Sequence, residues 1–267
     1  MNSSIDENLK VHNRLAAKYE SRHPEIYNDI EQKRLANSLK LAVEAIKTDT
    51  TQKVALDFGC GAGNLTKFLL DLNLEVVAAD LAPQFLRLVE KRFGSAAKLR
   101  TAQLNGEDLR NFAANEFDLV ATFSVLHHVP DYLKVVEEFV RVVKPGGIIF
   151  IDREMNDNYW SNDVDLKKLY AYKTIEKSWA RFFKLHTWIN KYKKIKNPRY
   201  QEEGDIHVWP DDHVNWDAVD KILASSCEIV QDINYLHFDS RYPNDLWLGL
   251  KDKKSDTRCL IVRKIKS

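Results

Sequence analysis

Cysteine is scarce in this 267-residue chain: Cys60, Cys227 and Cys259 stand far apart. An odd number with no C-x-x-C pair indicates neither a disulfide framework nor a zinc knuckle. Charge of one sign is also missing, since the formal net charge is +1. No global field therefore draws the chain to nucleic acid or to a membrane. No apolar run reaches the ~18 residues of a membrane-spanning helix. The opening MNSSIDENLK lacks the apolar core of a signal peptide. These absences lead us to expect a soluble, cytoplasmic protein. Its length fits one large α/β domain, or such a domain carrying an insertion.

What is present is organised around Val54–Thr66, VALDFGCGAGNLT. Val54-Ala55-Leu56 reads as a strand buried on both faces, closed by the acid Asp57. Gly59, Gly61 and Gly63 follow at alternate positions, and Asn64 to Leu70 takes up helical spacing. Strand, glycine turn and helix are the first half of a βαβ unit. Glycines are required where the backbone turns sharply and lets a ligand approach with no Cβ in the way. The competing reading is a plain tight connection. A second strand, Glu75–Asp80, ends on an acid about 20 residues after Gly59, the offset at which a carboxylate reaches a ribose diol. An acid there also serves to cap the next helix, which Pro83 opens.

Further strands are expected at Lys98–Gln103, Phe117–Leu126, Ile148–Asp152, Ile229–Leu236 and Arg258–Lys264, the last two joined by only a short connection. Phe117–Leu126 is expected to be the longest and to lie at the sheet's centre. Helices are expected at Gln84–Phe93, Tyr132–Val143 and Trp216–Ser225, with Lys144-Pro145-Gly146-Gly147 as a turn into the fifth strand. Residues 5–47 read as helical with a break near His23-Pro24.

The D-x-G-x-G form at Asp57–Gly61 resembles motif I of the class I S-adenosylmethionine (SAM) methyltransferases. Leu104-Asn105-Gly106-Glu107-Asp108-Leu109 looks like that family's adenine-binding turn. Leu126-His127-His128-Val129-Pro130-Asp131 is close to its L-H-H-V-P-D. Arg14-Leu15-Ala16-Ala17-Lys18-Tyr19 looks like the A-x-x-Y helix over its cofactor. The pattern resembles the small-molecule members of the ubiquinone- and menaquinone-biosynthesis type. The resemblance covers roughly residues 14–155 by motif and 213–267 by architecture only. It implies a doubly wound, seven-stranded, Rossmann-like sheet with a reversed last strand and a helical lid inserted after the fifth strand. The segments implied are an N-terminal helical cap (1–47), a SAM-binding core (48–155), a lid (156–212) and a return to the core (213–267). SAM would be the cofactor and S-adenosylhomocysteine the product. The residues implied to hold it are Tyr19, Asp57, Gly59, Cys60, Gly61, Ala62, Gly63, Asp80, Leu81, Asn105, Gly106, Glu107 and Phe123.

Lys167–Tyr200 carries eleven basic residues, one acid and eight aromatics in 34 positions. Two readings are open: a solvated basic face over a packing stripe, or a lid closing on an anionic acceptor. Trp179, Phe182, Phe183 and His213, with Asp152 and Arg153 at the end of the fifth strand, are the expected substrate contacts. His127 and His207 are the candidate bases, and His128 is expected to hold the turn. The loop around His207 and His213 lacks tight ligand spacing, so no metal is expected. A small-molecule methyl acceptor is the expected partner. Nucleic acid is disfavoured, because the N/D/S-P-P-Y/F motif is absent where Phe123-Ser124-Val125-Leu126 stands. Peripheral contact with anionic membrane stays open, and no motif fixes an oligomeric state. The alternatives are an RNA- or carrier-directed methyltransferase, a nicotinamide oxidoreductase and a non-catalytic partner subunit.

Overall fold

The computed structural model describes residues 23–172, 197, 199 and 205–265. Seven strands form one sheet in the order β3-β2-β1-β4-β5-β9-β8. They are β1 (Val54–Phe58), β2 (Glu75–Asp80), β3 (Leu99–Gln103), β4 (Phe117–Phe123), β5 (Val143–Met155), β8 (Cys227–Tyr235) and β9 (Thr257–Lys264). The pairs β1–β2, β1–β4, β2–β3 and β4–β5 are parallel, while β9 runs antiparallel to both β5 and β8. The reversed last strand is therefore where the sequence led us to expect it. β6 (Val208–Trp209) and β7 (Asp212–His213) make a separate small hairpin.

The central strands bury both faces, which is why they read as continuous apolar runs. Leu56, Val120, Ile149, Ile151 and Leu260 pack on one side with α4 (Tyr132–Val142) and α6 (Trp216–Ala224). Ala55, Leu119, Ala121, Ile148, Phe150 and Ile261 face the other side, against α1 (Asp29–Glu44) and α2 (Asn64–Asp71). α1 buries Leu35, Leu39 and Ala42 and is capped by Asn28, whose Oδ1 accepts from Glu31 N at 3.0 Å. α3 (Pro83–Phe93) begins at its proline and packs Leu86 and Val89 against Cys60 and Ala78. The carboxyl ends of β1 and β4 thus lie side by side where the chain order reverses, the place where open α/β sheets bind ligands.

Three expectations are corrected. β4 ends at Phe123, because Ser124 takes a positive φ of 59° and the chain enters a 3-10 turn at Leu126–His128. The apolar pattern runs past the strand because Leu126 is fully buried in that turn. β4 is central but β5 is longer, since the pairing of Phe117 with Val143 extends it back through Lys144–Gly147. The connection between β8 and β9 is not short: residues 236–256 contain α7 (Asn244–Leu250). Its Trp247 joins Leu236, Phe238 and Tyr242 in a satellite core with Leu166 and Leu169 of α5 (Val164–Ala171). The proposed lid, 156–212, falls largely outside the described residues. Its described start docks on this satellite core.

Candidate functional site

The loop after β1 is shaped by three positive-φ glycines that do different work. A Cβ on Gly59 would lie 2.6 Å from a methyl of Val125, so its bareness lets this loop meet the turn after β4. A Cβ on Gly63 would lie 2.7 Å from the Phe93 ring, so the third glycine serves helix packing and not a ligand. Only Gly61 is open, with nothing nearer than a backbone oxygen at 4.0 Å. Its N–H donates to Asp80 Oδ2 at 2.9 Å, and Ala82 N donates to Oδ1 at 2.8 Å. Asp80 is thereby fixed between the two loops that end β1 and β2. Burial pushes its carboxyl up to about 6 against the pull of these amides.

Gly61, Asp80, Leu81, Phe85, Glu107 and Phe123 line a cavity of about 120 Å³, together with Gly59 and the stretch around His128. A smaller pocket adjoins it through Gly59, Gly61 and Phe123, and is lined also by Asp57, Cys60, Ala62 and Asn64. Asp57 is fully buried, and its Oδ2 accepts from Thr66 Oγ1 at 2.5 Å. Burial, helped by repulsion from Asp80, raises its carboxyl to about 7 despite that hydroxyl. Its Oδ1 and the Nδ2 of Asn64 are both buried without a hydrogen-bond partner among the described residues. An orphaned acceptor and an orphaned donor in one pocket are the complement of an α-ammonium and an α-carboxylate. Asn64 was missed in the sequence, where it reads only as a helix start.

The expected adenine turn is only partly in place. Gly106 (φ 80°) and Glu107 line the cavity, and so does Asp108. Asn105 does not, because its side chain closes its own turn. Its Oδ1 accepts from Glu107 N and Asp108 N at 2.8 and 3.0 Å, and its Nδ2 donates to Asp108. Cys60 and Ala62 offer backbone: the Cys60 thiol packs with Ala78, Leu86 and Val89, and Ala62 with Ala82 and Phe85.

Neither candidate base lines the large cavity. His127 Nδ1 lies 2.8 Å from Glu154 Oε2. Burial alone would lower its pKa, but the Glu154 charge and hydrogen bond outweigh that and hold it up at about 9. The ring is thereby committed to the Glu154 carboxylate. His127 lines a separate small pocket with His207 and His213, and the neighbour His128 faces the large cavity. His207 is taken by Asp212 (2.6 Å) and lies edge-on to Tyr132. His213 lies 3.3 Å from Trp209 O and stacks near Trp160, away from the large cavity. Asp152 is not at a rim: it is fully buried, accepting from Arg34 Nη1 (2.9 Å), Tyr235 OH (3.1 Å) and Arg153 N (2.7 Å). Arg153 sits at φ 67° with Nη1 3.8 Å from Glu31 Oε2, its guanidinium buried in that ion pair. Tyr19, Trp179, Phe182 and Phe183 lie outside the described residues.

A family profile described as "Methyltransferase domain" matches residues 56–151, which line the large cavity and most of the smaller pocket. The match lies in the sheet core and leaves more than half of the chain outside it. Among curated proteins, it is 32% identical over 115 residues to a ubiquinone biosynthesis O-methyltransferase of Methylococcus capsulatus, covering 43% of this chain and 48% of that one. The corresponding protein of Xanthomonas oryzae is 30% identical over 116 residues, with the same coverage. The chain thus spans about half the length of the curated relatives it matches. A solved SAM-dependent methyltransferase from Mesorhizobium loti superposes with a TM-score of 0.55 at 14% identity, over 86% of this chain and 98% of that one. At that identity the likeness speaks for the fold alone. The matched residues carry most of β1 and β5 and all of β2, β3 and β4, while β8 and β9 complete the sheet.

Proposed function

We propose that this chain is a SAM-dependent methyltransferase acting on an oxygen of a small, aromatic or anionic metabolite. The observation that carries the reading is the pair of adjoining pockets, with Asp80 between their loops and the orphaned Asp57 Oδ1 and Asn64 Nδ2 in the smaller one. Asp80 would accept from the ribose hydroxyls, Asp57 from the ammonium, and Asn64 would donate to the carboxylate. Gly106–Asp108 and Leu81 would border the base. When bound, SAM supplies an electrophilic methyl group on a sulfonium. The residues of the chain contribute orientation and exclusion of water, which suffice for much of the acceleration in such displacements. The names of the curated relatives support oxygen as the acceptor atom. The full chain, incubated with methyl-labelled SAM and fractionated cell extract, should place label in the small-molecule pool. Label confined to RNA or protein, or no label above a boiled control, would overturn the reading.

A further inference from the structure

The geometry points to a divalent-metal site formed by His127, His128 and Asp205 at the edge of the large cavity. One ligating atom from each residue lies within 4.8 Å of the other two, and His128 Nδ1 is 3.2 Å from Asp205 Oδ1. All three residues are half-buried, so an ion would be sheltered yet reachable.

The cluster is built, not casual. Ile206 N and His207 N both donate to the carbonyl of His127, at 3.1 and 3.0 Å, which ties the segment carrying Asp205 onto the turn carrying the histidines. Glu154 then fixes that turn from behind. Its Oε1 accepts from Val125 N and Leu126 N at 2.8 Å, and its Oε2 engages His127 Nδ1. His127 is left with Nε2 as its ligating nitrogen. A carboxylate behind a histidine is the usual outer support of a metal-bound imidazole. Two imidazoles and one carboxylate suit zinc, iron, cobalt or manganese and leave coordination positions open. Magnesium prefers an all-oxygen shell and fits poorly. The nearby His207 and His213 are engaged with Asp212 and Trp209 O and lie outside the cluster.

Since His128 also lines the large cavity, the open positions adjoin the ground where an acceptor would sit; this role rests on the methyltransferase reading. A hydroxyl bound to such an ion ionises near neutral pH, its O–H proton passing to solvent and the oxyanion staying on the metal. The ligand class would be phenols, catechols and enols. No side-chain base would then be needed, consistent with the commitment of His127 to Glu154.

The test is a titration of chelator-stripped full chain with Co²⁺, without SAM, following its visible d–d absorption, with Zn²⁺ as competitor. One Co²⁺ per chain is expected, displaced by Zn²⁺. His128→Ala and Asp205→Ala should each weaken binding at least ~10-fold, and Glu154→Gln about 10- to 100-fold. His213→Ala should bind as the wild type. Co²⁺ should also raise the melting temperature of the wild type and leave that of Asp205→Ala unmoved. No saturable binding, or equal affinity in the wild type, His128→Ala and Asp205→Ala, would reduce the cluster to an ion pair. Loss of binding in His213→Ala alone would move the ion elsewhere and equally overturn the site. SAM affinity, measured separately by calorimetry, distinguishes failure of this site from failure of the methyltransferase reading.

Discussion

Replacing Asp80 by alanine is the perturbation whose consequence follows most directly from the geometry. The carboxylate holds Gly61 N and Ala82 N at 2.9 and 2.8 Å, and it lines the large cavity. A hydrogen bond to a charged group contributes about 1.5–3 kcal/mol. Losing the ribose interaction should therefore weaken SAM about 10- to 150-fold. The pH dependence gives a second reading of the same contact. With its pKa raised to about 6 by burial, Asp80 is about nine-tenths ionised at pH 7 and about one-tenth at pH 5. Ribose hydroxyls favour the carboxylate form, so binding should expel a proton below pH 6. Wild-type affinity should fall about tenfold from pH 7 to pH 5. Asp57, raised to about 7, adds to the same trend, and the two repel one another, so they titrate as a pair. In Asp80→Asn only the Asp57 step should remain. Calorimetry at several pH values reads all of this. Unchanged SAM affinity in Asp80→Ala, or a wild-type affinity flat between pH 5 and 8, would refute the reasoning.

Three further outcomes are expected. Asp57→Asn should abolish SAM binding yet stabilise the ligand-free protein at pH 8. A carboxyl whose folded pKa is raised costs stability as pH rises from about 4 to 7, so the gain should vanish near pH 4; each kcal/mol should appear as about 2–4 °C in thermal melts. Gly63→Ala, at φ 89° and 2.7 Å from Phe93, should lower the urea midpoint, whereas Gly61→Ala should lose SAM affinity at smaller cost to the fold; the reverse order would contradict the division of labour between these glycines. Arg34→Met should cost about 3–5 kcal/mol in chemical denaturation, because it strands the buried Asp152 carboxylate; a loss below ~1 kcal/mol would return Asp152 to the list of substrate contacts.

The sheet was legible because parallel strands buried on both faces write themselves as apolar runs between breakers. The Asp57 loop and Asp80 were legible because each ends such a run at a set interval. What the sequence hid depends on direction and not on position. His127 and His128 are neighbours in a 3-10 turn, and which of them faces the cavity is decided by Glu154. Glu154 in turn is aimed by the irregularity in β5 between Asp152 and Glu154, where Arg153 takes a positive φ. No spacing rule carries that information. The third glycine looked like a ligand contact, but its neighbour, Phe93, is some thirty residues away in sequence. Asn105 matched a motif by residue type, and its side chain was drawn into its own turn, as asparagine often is. α7 escaped because seven residues are too few to display a helical period, and Gly249 interrupts them.

The central claim is that the glycine loop, Asp57 and Asp80 receive SAM and not a nicotinamide dinucleotide. Titration of the full chain with SAM and, separately, with NAD in a calorimeter tests it most directly. The account predicts one saturable SAM site per chain and no heat of binding from NAD. A chain that binds NAD at that site, or that binds neither ligand, would contradict it.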